Sequence, residues 1–289
     1  MRFGFKVPHQ GTTWRSVAEI WRAGDDLDIF ESAWTYDHLV ALRATEDGIA
    51  LSPGTPMLDG WSLLAALAAQ TARLRIGNLV SCVPFRHPVV LAKMATTIDE
   101  ISDGRLELGL GAGWMESEAA MYGTDLGSPR DRLDRLEESL EVMAGLLTSD
   151  SFDFSGRFYH LAGARIEPKG RQPRPPIWIG GVGEKRTLRI VARWADAWNY
   201  TALRPGGELD QFRLKCEVLR DRCAEIGRDP AEILVSAQLS LQGDPATLAA
   251  QAAAWGAAGA GYIIVMLPAG ADPGLLRDLA TALEPLRDA

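Results

Sequence analysis

The chain is poor in cysteine, histidine and lysine, and each shortage removes a class of function. Cys82, Cys216 and Cys223 show no CxxC spacing, so neither a disulfide framework nor a thiolate zinc site is supported. Cys216 and Cys223 stand seven apart in a helical pattern, which suits one buried helix face. The 4 histidines, at 9, 38, 87 and 160, form no HxxH or HExxH pair, so no metal site is expected. GxSxG is absent as well, and Lys93 falls early in a helical pattern, off the strands where a Schiff-base lysine would be held. No apolar run approaches the ~20 residues of a membrane span, and the N-terminus lacks a signal-peptide core, so a cytoplasmic protein is expected. A net charge of −8 argues against general nucleic-acid binding.

What remains is an ample apolar supply, 47% of 289 residues, in a recurring order. Strand-like runs at 2–7, 32–38, 75–83, 105–111, 177–180, 197–200, 233–241 and 262–267 alternate with amphipathic stretches at 61–71, 89–101, 184–194, 209–226 and 245–255. Eight βα units in one chain of this length predict an α/β fold, a (β/α)8 TIM barrel, as a single domain over 1–289. Ser128 and Pro129 mark a further helix start, as N-cap and first helical residue. The irregular stretch 151–176, after strand four and its helix, reads as an insertion loop at the active rim. Basic residues gather from Arg157 to Arg193, in a pattern that suits a solvated loop and an anion-binding rim equally.

The segment RLELGLGAGW at 105–114 places Leu106, Leu108 and Leu110 on one face of a strand and Gly109, Gly111 and Gly113 on the other. Glycine weakens a strand interior, so a bare face implies close approach by something flat or by another backbone. In a barrel of this type the site forms at the C-terminal strand ends. Strand two ends in Asp37 and His38, an acid beside an imidazole, which suits either a proton-transferring pair or a packed histidine with a turn-capping aspartate. His87 reads as a helix cap. Strand five runs into Gly180, Gly181, Val182 and Gly183, a turn able to aim backbone N–H groups at phosphate. Trp114, Trp178 and Trp198 suit a substrate-pocket wall or ordinary packing.

Taken together, RFGFKVP, SAWTYDHL at 32–39, the segment 75–118 and PPIWIGGVGEKRTLRIVARWADAWN at 175–199 resemble the luciferase-like monooxygenase superfamily, and within it the F420-dependent oxidoreductases. The resemblance implies a deazaflavin ring of coenzyme F420 at the barrel mouth and a non-proline cis peptide behind it, around Leu79, Val80 and Ser81. It implies that Asp37 and His38 flank the ring, with His38 moving a proton and Asp37 orienting it or bonding the ring. Gly111, Ala112 and Gly113 then lie along the cofactor tail, and Gly180 to Gly183 hold its phosphate. The function implied is hydride transfer to or from a small-molecule substrate, with a homodimer as the family's common state. Trp114 stands where sugar-phosphate dehydrogenases of the superfamily carry a catalytic glutamate, so their substrate is not carried over. An FMN-dependent monooxygenase of the same fold, using O2, is the rival reading, and a non-catalytic ring-binding protein is the third.

Overall fold

In the computed structural model, which describes residues 1–45, 48–202 and 208–287, eight parallel strands close into a barrel. The strands are Arg2–Lys6, Phe30–Thr35, Arg75–Cys82, Leu106–Gly111, Ile177–Gly180, Ala197–Thr201, Leu234–Ser240 and Tyr262–Met266, and they are numbered one to eight below. Each pairs with its sequence neighbours, and strand one closes the ring against strand eight, with Phe3 opposite Ile263. Alternation sorts the side chains: Phe3 and Phe5 join the layer under the helices, while Trp34, Leu79, Trp178, Tyr262 and Ile264 fill the barrel interior. The leucine face of strand four goes outward as expected, since Leu106, Leu108 and Leu110 are fully buried against the helices.

Helices lie outside, and local chemistry fixes their starts. Ser128 accepts from the Asp131 N–H and Asp131 returns the bond, a capping box that begins the helix Pro129–Thr148. His87 caps Pro88–Ile101 by accepting from the Val89 N–H at 3.3 Å. Strand two ends at Thr35, three residues short of the sequence expectation, so Asp37 and His38 sit on a loop. The helix after strand five begins at Thr187 and not at 184, because residues 184–186 form a turn.

The insertion 151–176 refines one expectation. It joins a helix end to a strand start, so it leaves from the base of the barrel. Its hairpin, Phe152–Ser155 with His160–Ala164, then climbs the outer surface of Pro129–Thr148, and its tip, at Arg157 and Tyr159, reaches the helix starts on the rim side. There Glu138 accepts from the N–H groups of Arg157 and Phe158, and the Tyr159 ring meets His87. The basic cluster is largely consumed by pairing: Arg157 with Asp131, Arg171 with Glu100, Arg174 with Asp196, and Arg186 with Asp134. Of the rim loops, 46–47 and 203–207 lie outside the described residues, and 39–60 and 114–127 contain a hairpin, Leu42–Thr45 with Gly48–Leu51, and a short helix, Glu116–Met121. Among the described residues no helix is long and apolar enough to cross a membrane.

Candidate active site

The loops after strands two, three and four converge at the barrel mouth, and one carboxylate binds two of them together. Glu118, on the short helix Glu116–Met121, is buried and accepts from the N–H groups of Leu39 at 2.6 Å and Val40 at 3.2 Å. Its other oxygen meets His38 Nδ1 at 2.6 Å. A carboxylate already holding two backbone donors is an acceptor, so Nδ1 carries the proton and donates it. His38 Nε2 is then left to the mouth, with no hydrogen-bond partner among the described residues. The Trp114 ring stands edge-on to His38 at 5.8 Å and is 55% exposed.

Asp37 has other partners, which corrects its expected pairing with His38. Strand two has already ended, so the two neighbours diverge: Asp37 turns inward and accepts from Arg86 Nη1 at 2.6 and 2.7 Å and from the Cys82 N–H at 2.9 Å. It is 3% exposed, and burial pushes its carboxyl up to about 6 against the pull of Arg86. Asp37 and Arg86 thereby fix the end of strand three to the loop after strand two.

Strand three carries the floor of the mouth. Its register against strand four slips between Asn78 and Ser81, and the Leu79–Val80 peptide bond is cis, within the segment the resemblance pointed to. The three residues named there part company. Leu79 packs into the barrel interior, and the Ser81 hydroxyl accepts from Trp61 Nε1 at 3.2 Å on the helix side. Val80 remains at the mouth, where a Cβ on Gly111 would come within 2.6 Å of its Cγ2 and one on Gly180 within 3.3 Å of its Cγ1. Two glycines on adjacent strands thus leave room for the Val80 side chain alone. Gly109, one step deeper, lies against the Asn78 backbone. Gly113 takes φ +81, and Ala112 packs toward the outer core.

In the turn after strand five, Gly181 takes φ +118, and Val182 and Gly183 border a groove with Glu184, Lys185, Arg186 and Lys215, of which Glu184 and Lys215 are paired. The Gly181 carbonyl accepts from Trp198 Nε1 at 2.8 Å, so Trp198 supports the turn from behind, fully buried against Phe212. It does not wall a pocket. Neither does Trp178, which is 2% exposed inside the barrel, packs on Trp34 and Tyr262, and donates to Glu107 near the base. Trp178 comes early in its strand, far from the C-terminal rim, while Trp198 faces outward into the layer under the helices.

Three further residues matter that sequence reasoning did not place. Glu118 stands 80 residues from His38. Lys6, which ends strand one, points inward and donates to the Leu79 carbonyl at 2.6 Å and to Gln238 Oε1 at 3.1 Å. Burial pushes its ammonium down to about 7. His9 stacks on Tyr36 and bonds the Leu58 carbonyl through Nδ1 at 2.7 Å, while its Nε2 accepts from the Tyr36 N–H at 3.3 Å. Burial pushes it down to about 4, so it is a neutral brace. A buried lysine at a strand end, opposite polar residues of other strands, was the available signal for Lys6.

Comparison with known proteins accords with this layout. The family profile described as luciferase-like monooxygenase matches residues 1–282. An F420-dependent glucose-6-phosphate dehydrogenase from Amycolatopsis mediterranei is 31% identical over 196 residues, 68% of this chain and 54% of its own. The chain spans less than two thirds of the curated relatives it matches, 58% for the mycobacterial proteins at 34% identity. Among solved structures, an F420-dependent secondary alcohol dehydrogenase in complex with an F420-acetone adduct superposes with a TM-score of 0.82 at 16% identity, covering 98% of both chains. The monooxygenase RslO1 from Streptomyces bottropensis superposes with a TM-score of 0.79 at 19% identity, covering 99% of both. At these identities the structural likeness is one of fold.

Proposed function

Starting from a chain that belongs to the luciferase-like monooxygenase family, we propose an oxidoreductase that uses coenzyme F420 to pass a hydride to or from a small organic substrate. The observation that carries this reading is His38: its Nδ1–H is held by a buried carboxylate, and its Nε2 has no hydrogen-bond partner among the described residues. The residues fit a flat ring at the mouth, because Gly111 and Gly180 make the room that the Val80 side chain fills, which leaves a small apolar floor across strands three to five. When bound, the ring supplies the two-electron chemistry.

The chain does the rest. Val80 supports the ring, and Gly111, Ala112 and Gly113 border its tail. Gly180, Gly181, Val182 and Gly183 offer backbone N–H groups to phosphate, with Lys185 beside them. His38 Nε2 gives a proton to, or takes one from, the substrate oxygen, and Glu118 holds the tautomer that makes this work. Trp114 covers the substrate from the solvent side. Asp37 serves by position, through Arg86 and the Cys82 N–H. The F420-dependent relative at 31% identity supports the choice of cofactor.

The second reading, a monooxygenase using reduced FMN and O2, has the RslO1 superposition in its favour. Titrating the apoprotein with F420 and with FMN, followed by fluorescence, separates the two. Tight F420 binding is expected; tight FMN binding without F420 binding overturns the proposal in favour of the second reading. Ring binding with no turnover on any alcohol or ketone leaves the non-catalytic reading standing.

A further inference from the structure

One buried ammonium at the mouth has only neutral acceptors. Lys6 is 6% exposed and shares the inner face of strand one with Gly4, while Phe3 and Phe5 face the helices. Its Nζ donates to the Leu79 carbonyl and Gln238 Oε1 and lies 5.2 Å from the centroid of the Tyr36 ring. Among the described residues no carboxylate stands within ion-pair distance of it. Lysines are almost never fully buried unless paired, so this placement calls for a reason.

The surroundings supply one. The register slip of strand three takes residues 79 and 80 out of the ladder with strand four, which leaves the Leu79 carbonyl available to a donor inside the barrel. The next side chain, Val80, is the one that Gly111 and Gly180 flank at the mouth. A single peptide unit therefore has the ammonium on its carbonyl and the floor of the ring site on its following residue. Two acceptors occupy two of the three ammonium donors. A charge in so little water acts strongly on any charge placed near it.

We infer that Lys6 is a positioning residue of the ring site, fixing the Leu79 carbonyl and favouring, by its positive charge, the reduced and more negatively charged state of a ring on Val80. This rests on the reading of the mouth as a ring site and holds for a flavin and a deazaflavin alike. In reduction the ring gains two electrons and one proton as a hydride from the substrate, and the added negative charge falls on a ring whose floor is tied to the ammonium. The groups facing Lys6 do not compete with it. His9, after strand one, is held neutral with its pKa near 4, and Tyr36, after strand two, is pushed up to about 12. Gln238, on strand seven, has no charge to lose. With Lys6 itself near 7, an anionic ring above it would hold the proton on.

The test compares affinities for the two redox states. Wild type, Lys6→Met, Lys6→Arg and Lys6→Gln are titrated anaerobically with F420 and with FMN, each oxidised and chemically reduced, and the ratio of the two dissociation constants is taken for each protein. Lys6→Met and Lys6→Gln are expected to lose about tenfold of the preference for the reduced ring, equivalent to about 30 mV, and Lys6→Arg to keep most of it. Lys6→Gln keeps a donor for the carbonyl without the charge, so it decides the matter if Lys6→Met fails to fold. A ratio unchanged in Lys6→Gln overturns the role of Lys6 while leaving the ring site intact. Wild-type protein that binds neither ring overturns the reading of the site, and this inference with it.

Discussion

At the base of the barrel Glu107 is buried against the Arg75 guanidinium and the Trp178 indole, whereas at the mouth Lys6 is buried against a carbonyl, an amide and an aromatic ring. Both are charges taken out of water, but only the basal one has a partner of opposite sign. The base is closed on itself: Arg75 also reaches the Leu106 carbonyl and Gln172, and Arg105 holds the carbonyls of Ala68, Thr71 and Leu74. The mouth instead holds Lys6 near 7 and Asp37 near 6, close to the pH at which protons are exchanged. The basal carboxylate is paired with a guanidinium and the ammonium at the mouth has no counter-charge, although Asp37 at the mouth has Arg86.

The sharpest way to test that division is at the base. Glu107→Leu leaves Arg75 and the Trp178 N–H without their acceptor and is expected to destabilise the protein by about 3 kcal/mol in urea unfolding, with ring affinity unaltered in the folded fraction. At the mouth the expectation inverts. His38→Ala should lower turnover by about 100-fold, with cofactor affinity and unfolding midpoint nearly unchanged, once a substrate is in hand. Unchanged turnover would remove His38 from the mechanism.

A pH series separates the two ends further. His9 has its pKa lowered from 6.5 to about 4 in the folded state, so below pH 6.5 the unfolded chain binds a proton that the folded one refuses. Stability should therefore fall as pH drops from about 6.5 to about 4, by a few kcal/mol from this group. Asp37, raised from 3.8 to about 6, acts in the opposite sense over its own window, so the slope is read as wild type minus His9→Asn. A difference that does not vary with pH would show that His9 is not held neutral. The smallest effects divide a single strand: Gly109→Ala meets the Asn78 backbone and should cost about 1–3 kcal/mol of stability, while Gly111→Ala meets only the Val80 side chain and should show chiefly in ring affinity.

The barrel was legible because its signals are local: apolar runs, alternation, and caps such as Ser128. The glycine face of strand four was legible for the same reason. Glu118 was hidden because its bond to His38 spans 80 residues, and the adjacent Asp37 offered a nearer acid that strand geometry then turned away. Depth along a strand was the second blind spot. Trp178 sits too early in its strand to reach the rim and Trp198 turns outward to the helices, and only the closed barrel shows the height and face of each strand residue. The insertion was half legible: its length suggested a functional loop, but it leaves from the base of the barrel, an origin that chain direction fixes and length does not.

Glu118 also limits how the rim can be redesigned. It grips the backbone at Leu39 and Val40 as well as His38, so the loop after strand two and the short helix after strand four move as one piece. Substrate scope cannot be retuned in either segment alone without disturbing the imidazole. An engineer seeking a new specificity would do better to leave both in place and vary Trp114, which stands edge-on to His38 and is more than half exposed.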